Sequence, residues 1–127
     1  MKLEPIAQHL VTEDVAEQGV DLFIYNMPSG VEIGILLISS LSGTEIDYEL
    51  PGFKRTSFQA IVRHTEFVEG RELADLVSST LTLKNGTMLD NLLVRYIRPR
   101  HEPVVYPVSE GDYLEFSINF DAVYIET

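Results

Sequence analysis

The sequence predicts one α+β domain over residues 1–127, in the order α-β-β-β-α-β-β, with a mixed, mostly antiparallel sheet covered by two helices. Three observations carry that class. Between Thr56 and Leu81 the apolar period changes from alternation to helical spacing, so a strand hands over to an amphipathic helix. The stretch from Leu114 to Tyr124 alternates without a break. A chain of 127 residues, 45% of them apolar, is enough for one core, and it contains no internal repeat.

Residues 3 to 18 read as the first helix. Leu3, Ile6, Ala7, Leu10, Val11 and Val15 fall on one face, Pro5 sits in the first turn where its missing N–H costs nothing, and Gly19 is placed to end it. Val20 to Asn26 alternates as a strand. The cluster Met27-Pro28-Ser29-Gly30 then turns the chain, so Val31 to Ser39 is expected to pair back as a hairpin. Gly34 inside that strand marks a bulge or a close neighbour, and Leu36-Leu37-Ile38 leaves no polar face at its end.

Residues 40 to 55 lack a period, yet they contain Ile46, Tyr48, Leu50 and Phe53, which is too apolar for a free loop in water. Such a loop needs something to lie against. The strand Thr56 to His64 and a helix from about Glu66 to Leu81 follow, with Thr65 as N-cap and Glu66 and Glu69 suited to the helix N-terminus. The face Leu73, Leu76, Val77, Leu81 points to the sheet, and Gly70 implies close packing, since it weakens a helix by about 1 kcal/mol relative to alanine. If the next strand lies parallel, the crossover is expected to be right-handed. Lys84 to Thr87 makes a turn, Leu89 to Ile97 a strand, and Arg98 to Pro103 breaks the pattern, with Pro107 keeping the connection extended. In the last strand Leu114, Phe116, Ile118, Phe120, Ala122 and Tyr124 face the core, while Glu115, Ser117, Asn119, Asp121 and Val123 face water.

Charge and residue inventory exclude several function classes. Twenty acids against nine bases give −11, a surface that repels phosphate backbones, so specific nucleic-acid binding is not expected. There is no cysteine for a disulfide or thiolate site, and no apolar run is long enough to span a bilayer or resembles a leader. A soluble protein folded in a reducing compartment, with no membrane partner, is the expectation. His9, His64 and His101 are scattered without a third metal ligand at a recognisable spacing, so neither a metal nor another cofactor is expected. No nucleophile elbow or phosphate-binding loop occurs. A small hydrolase using Arg63 and Asn91 is the enzymatic alternative, on fold-level analogy alone.

The few bases are the other informative feature. Arg95, Arg98 and Arg100 cluster near one strand end, and Lys54-Arg55 flank the apolar loop; in so acidic a chain they suit carboxylates of a neighbouring copy.

Asp47-Tyr48-Glu49-Leu50-Pro51-Gly52, then Phe58-Gln59-Ala60-Ile61-Val62-Arg63, a helix with Gly70 and Leu73-Ala74, and a final Ile118-Asn119-Phe120-Asp121-Ala122 resemble the tail-terminator and minor capsid proteins of long-tailed bacteriophages. The resemblance spans most of the chain. It implies a non-enzymatic virion protein forming a ring, usually of six copies, that closes the tail tube and joins it to the head. The implied partners are further copies, the tube protein and the head–tail connector protein, with DNA passing through; a head-completion protein one layer up is the alternative. On that reading Ile46, Tyr48, Leu50, Pro51, Phe53, Lys54, Arg55, Arg95, Arg98 and Arg100 are expected at the subunit interface. Glu45, Asp47 and Glu49 are expected to face the channel or its rim.

Overall fold

Two long strands with matched patterns form the centre of the sheet. The chain describes, in a computed structural model covering residues 1–40, 42–107 and 113–127, the order α1 (Glu4–Thr12), β1 (Leu22–Ile24), β2 (Gly34–Ser39), β3 (Glu45–Ile46), β4 (Phe53–His64), α2 (Phe67–Thr80), β5 (Thr87–Leu89), β6 (Leu92–Pro99), β7 (Val104–Pro107) and β8 (Leu114–Glu126). β4 and β8 pair antiparallel without a break from Phe53↔Ile125 to His64↔Leu114. Their even-numbered residues share one face, so Phe58, Ala60 and Val62 bury beside Phe120, Ile118 and Phe116. The rings of Phe58 and Phe120 stack with centroids 5.0 Å apart.

The other strands attach to this ladder. The path runs β1-β2-β4-β8-β6-β5, with β3 on β4 and β7 on β8. Only β1 and β2 pair parallel, so the sheet is mixed and mostly antiparallel, and the two helices complete the α+β class. β4 and β6 both run antiparallel to β8 between them and are therefore parallel to each other: α2 spans a split β-α-β unit. The core is a single cluster in which Ile6, Ala7 and Leu10 of α1 meet Ala74 and Val77 of α2 against the sheet. α1 lies against both β1 and β5, the two ends of the strand path, so the sheet curves around it.

Several local expectations are corrected. α1 stops at Thr12, because Asp14 adopts φ 59° and the Val15 N–H reaches the Leu10 carbonyl at 2.9 Å while Asp14 N–H reaches Val11 at 3.0 Å. That is a Schellman ending with aspartate where glycine is usual. β1 and β2 do not form a hairpin but run parallel. Tyr25 turns the strand with φ 66°, Met27 buries, and Arg63 Nη1 donates to the Pro28 and Val31 carbonyls at 3.1 Å each, holding the return segment in place. Three short strands are added to the expected five. β3 makes a hairpin of the supposed loop, β5 precedes β6 across a turn in which Asp90 has φ 55°, and β7 follows the bend after Pro99.

The cap of α2 is Glu66 rather than Thr65, and the Glu66 N–H donates to His64 Nδ1 at 2.9 Å. The buried face of α2 is Gly70, Ala74, Val77 and Leu81, whereas Leu76 is exposed. On β8 the supposed wet face is covered: Ser117 and Val123 are buried, and Glu115, Asn119 and Asp121 are half-buried. Gln59 Nε2 bonds Ser117 Oγ there, and His101 Nε2 meets the Asn119 side chain at 3.1 Å.

Gly70 is buried where α2 crosses the sheet. A methyl group there would press into the Phe116 ring and come within 2.9 Å of His64 Cβ. Gly70→Ala is expected to destabilise by about 1–3 kcal/mol through overpacking, against a helix-propensity gain of about 1 kcal/mol; urea unfolding measures the difference. Burial, with Glu126 adding to it, raises the Tyr124 phenol above its ordinary value. A raised folded pKa keeps the proton on in the native state, so this stability is full below about pH 10 and is lost as pH rises through the folded value. Tyr124→Phe should therefore flatten the alkaline end of the stability–pH curve.

Candidate assembly surface

The apolar loop expected from the sequence is an ordered arm. Glu45 and Ile46 pair with Arg55 and Lys54, so beyond the end of β2 the start of β4 carries β3 as a hairpin while its other edge stays paired with β8. Its turn is held from within: Asp47 Oδ1 accepts the N–H groups of Glu49 at 2.9 Å and Leu50 at 3.2 Å, and Phe53 N–H donates to the Leu50 carbonyl at 3.0 Å. Gly52 has φ 82°, accepts the Glu126 N–H at 2.9 Å, and has room for no side chain, because a Cβ would lie 2.8 Å from the Glu126 carbonyl oxygen. The arm is thus clamped at its root to the end of β8. At its base Thr44 Oγ1 accepts from the Met1 amino group at 2.8 Å.

Among the described residues nothing covers the tip. Tyr48 is 92% exposed, Ile46 58% and Leu50 55%. Pro51 is exposed too, whereas Phe53 is half-buried opposite Ile125. A recess of about 400 Å³ opens between Glu45, Asp47, Tyr48, Glu49, Phe53 and Arg55. Of the arm's acids Glu45 and Glu49 are exposed, while Asp47 is half-buried and occupied with its own turn. Lys54 pairs with Glu126 at 3.8 Å, and Arg55 is exposed opposite Glu45.

The three arginines near the end of β6 do not form one cluster. Arg100 Nε bonds Asp121 Oδ1 at 2.7 Å and so lies on the sheet face opposite the helices. Arg98 lies over the Tyr96 ring, 4.4 Å from its centroid, and Arg95 Nη1 donates to Asn85 Oδ1 at 3.3 Å. That last bond brings the turn before β5 beside Arg95, and with it the exposed Lys84 and Met88, neither of which stood out in the sequence. The signal for them is the cross-strand bridge Leu83↔Ile97, which only pairing reveals.

The geometry does not bring together Arg63 and Asn91, the pair of the enzymatic alternative. Arg63 is spent on two carbonyls and on Glu115, 3.4 Å away, at the α2 end of the ladder. Asn91 lies at the opposite end, where its carbonyl accepts the Thr127 N–H at 3.0 Å. His9 contacts the Thr80 carbonyl, and His64 and His101 are likewise in local hydrogen bonds. Among the described residues no three His, Asp or Glu side chains converge as metal ligands, and no helix is long and apolar enough to cross a membrane. Residue 41 of the expected loop lies outside the described residues.

The sequence matches the family described as bacteriophage tail terminator protein over residues 9–125. No curated protein matches it. Among solved structures it is similar to a chain of the virion of a native gene transfer agent particle, with a TM-score of 0.67 and 15% identity over 95% of this chain and 93% of that one. At that identity the likeness concerns the fold.

The arm's tip and root should respond differently to substitution. Ile46→Ser, Tyr48→Ser and Leu50→Ser together are expected to move the thermal midpoint little, since each side chain is already in water. Phe53→Ser removes a half-buried ring from the ladder, and Gly52→Val forces a side chain into the Glu126 backbone; each should cost about 1–3 kcal/mol by denaturant titration.

Proposed function

Because this chain belongs to the bacteriophage tail terminator family, we propose that it is a non-enzymatic virion component whose copies close into a hexameric ring at the head-proximal end of a tail tube. The tube protein lies on one side of that ring and the head–tail connector protein on the other, and the genome passes through its lumen. The observation that carries this reading is the arm. Three large apolar side chains stand in water on a hairpin whose turn and root are fixed by hydrogen bonds, a combination that makes sense when a partner covers them. Covering each fully contributes roughly 1.5–3 kcal/mol, and a pre-ordered arm keeps the entropy cost of docking low. Pro51 and Gly52 fix its turn, and Lys54 and Arg55 at its root select partners by charge more than they add affinity.

The lumen in this reading is acidic. An excess of eleven negative charges per copy repels phosphate, so DNA slides past rather than sticking. Glu45, Asp47 and Glu49 sit on the arm at the rim, where the junction between copies meets the channel.

Two experiments test the reading. Ile46→Ser/Tyr48→Ser/Leu50→Ser should abolish ring assembly on tails, seen by imaging of purified particles, while the monomer still unfolds at its normal temperature. Rings of normal occupancy would move the interface elsewhere. For the arm's charge, Glu45→Lys/Glu49→Lys should lower infectivity at least tenfold, with Asp47 left in place because its carboxylate holds the turn. Normal infectivity would leave these acids as solubilising surface.

A further inference from the structure

We propose that the arm of each copy docks on the far flank of the next copy, where the turn of residues 84–86, β5 and β6 present Lys84, Arg95 and Arg98 to the arm's carboxylates. This rests on the ring reading above and names the surface that receives the arm.

Charge singles out the flank. Among the described residues four bases are in ion pairs, Lys54 with Glu126, Arg63 with Glu115, Arg71 with Asp75 and Arg100 with Asp121. The five bases outside those pairs are Lys2, Arg55, Lys84, Arg95 and Arg98. Three of these five stand on one flank, because Arg95 bonds Asn85 beside Lys84, and the antiparallel bridge Leu83↔Ile97 sets Lys84 across from Tyr96, whose ring Arg98 covers. All three are exposed. The arm is the complement. It carries Glu45, Asp47 and Glu49, none of them in an ion pair among the described residues.

Topology keeps the two patches apart within one copy and aligns them between copies. The arm hangs from the edge of β4 that faces β2, while the basic flank lies beyond β8 on β6 and β5. With strands about 4.8 Å apart, three strand spacings separate β3 from β6, roughly 14 Å along the sheet. A head-to-tail ring brings one flank of each subunit against the opposite flank of its neighbour, and each junction repeats that one heterologous contact. The flank also offers apolar surface to the tip: Met88 is 54% exposed, and Tyr96 lies half-buried under Arg98.

A phosphate backbone is the poorer occupant. Three bases set in a chain of net charge −11 face a repulsive field from the rest of the surface, whereas the arm brings its three acids already ordered. Pairing the arm's acids with these bases at each junction leaves the ring's net charge unchanged at −11 per copy, so the remaining acids still repel the genome.

Charge reversal with its restoration is the test, in particles grown with each variant. Glu45→Lys/Glu49→Lys alone and Arg95→Glu/Arg98→Glu alone should each reduce ring occupancy on tails at least tenfold, with unchanged thermal midpoints. Both reversals in one chain should restore it. Because the chain has no cysteine, Tyr48→Cys with Met88→Cys provides an independent readout. Oxidised particles should then yield a ladder of disulfide-linked copies on a non-reducing gel, and each single cysteine should not. Full ring occupancy in either reversed variant overturns the docking and leaves the ring standing, as does a ring that forms without cross-links. Failure of the unmodified chain to form rings on tails overturns the function itself.

Discussion

The unbroken antiparallel ladder between β4 and β8 is the constraint on which the rest depends. It supplies the central strands of the sheet and half of the core side chains that the helices cover, Phe58, Ala60 and Val62 against Phe116, Ile118 and Phe120. At about 3.3 Å per residue it is roughly 36 Å long, longer than any neighbour on either side. Each edge of the ladder is therefore shared by two short strands: β2 and β3 along β4, β6 and β7 along β8. Where β2 ends, β4 continues outward with β3 as the arm.

That origin explains why the arm is stiff while carrying water-exposed apolar groups. Its root is part of the ladder, through Phe53↔Ile125 and the hydrogen bond from Glu126 to Gly52. Its turn is closed by Asp47. A floppy loop with Ile46, Tyr48 and Leu50 would collapse on the nearest apolar surface, but a braced hairpin holds them away from its own core. The same ladder sets the distance between the arm on one side and the basic flank on the other.

Class and core were legible because they follow from period. The core face of the alternation from Leu114 to Tyr124 survives folding, the helix face keeps Val77 and Leu81 but takes Ala74 in place of Leu76, and Gly70 announced the tight crossing over Phe116. The composition of the arm was legible too, since four large apolar residues in an aperiodic stretch have no local explanation. Its hairpin form was not, because two-residue β3 is shorter than any pattern window and is held by a side-chain cap. The end of α1 and the parallel entry of β2 were missed for a related reason. Asp14 and Tyr25 adopt positive φ without being glycine, and the segment between β1 and β2 is fixed by Arg63 from a distant strand. The basic flank depends on the pairing of residue 83 with residue 97, which no linear spacing displays.

Hydrogen exchange of the arm, compared between the free chain and the chain on assembled tails, tests the central claim most directly. Amides from Ile46 to Leu50 belong to an exposed hairpin in the single copy and should exchange quickly there. Docked on a neighbour, they should slow by about tenfold or more, while the β4–β8 core amides stay slow in both states. Equal arm exchange in the free and assembled chain would contradict the account, because it would mean that the arm meets no partner.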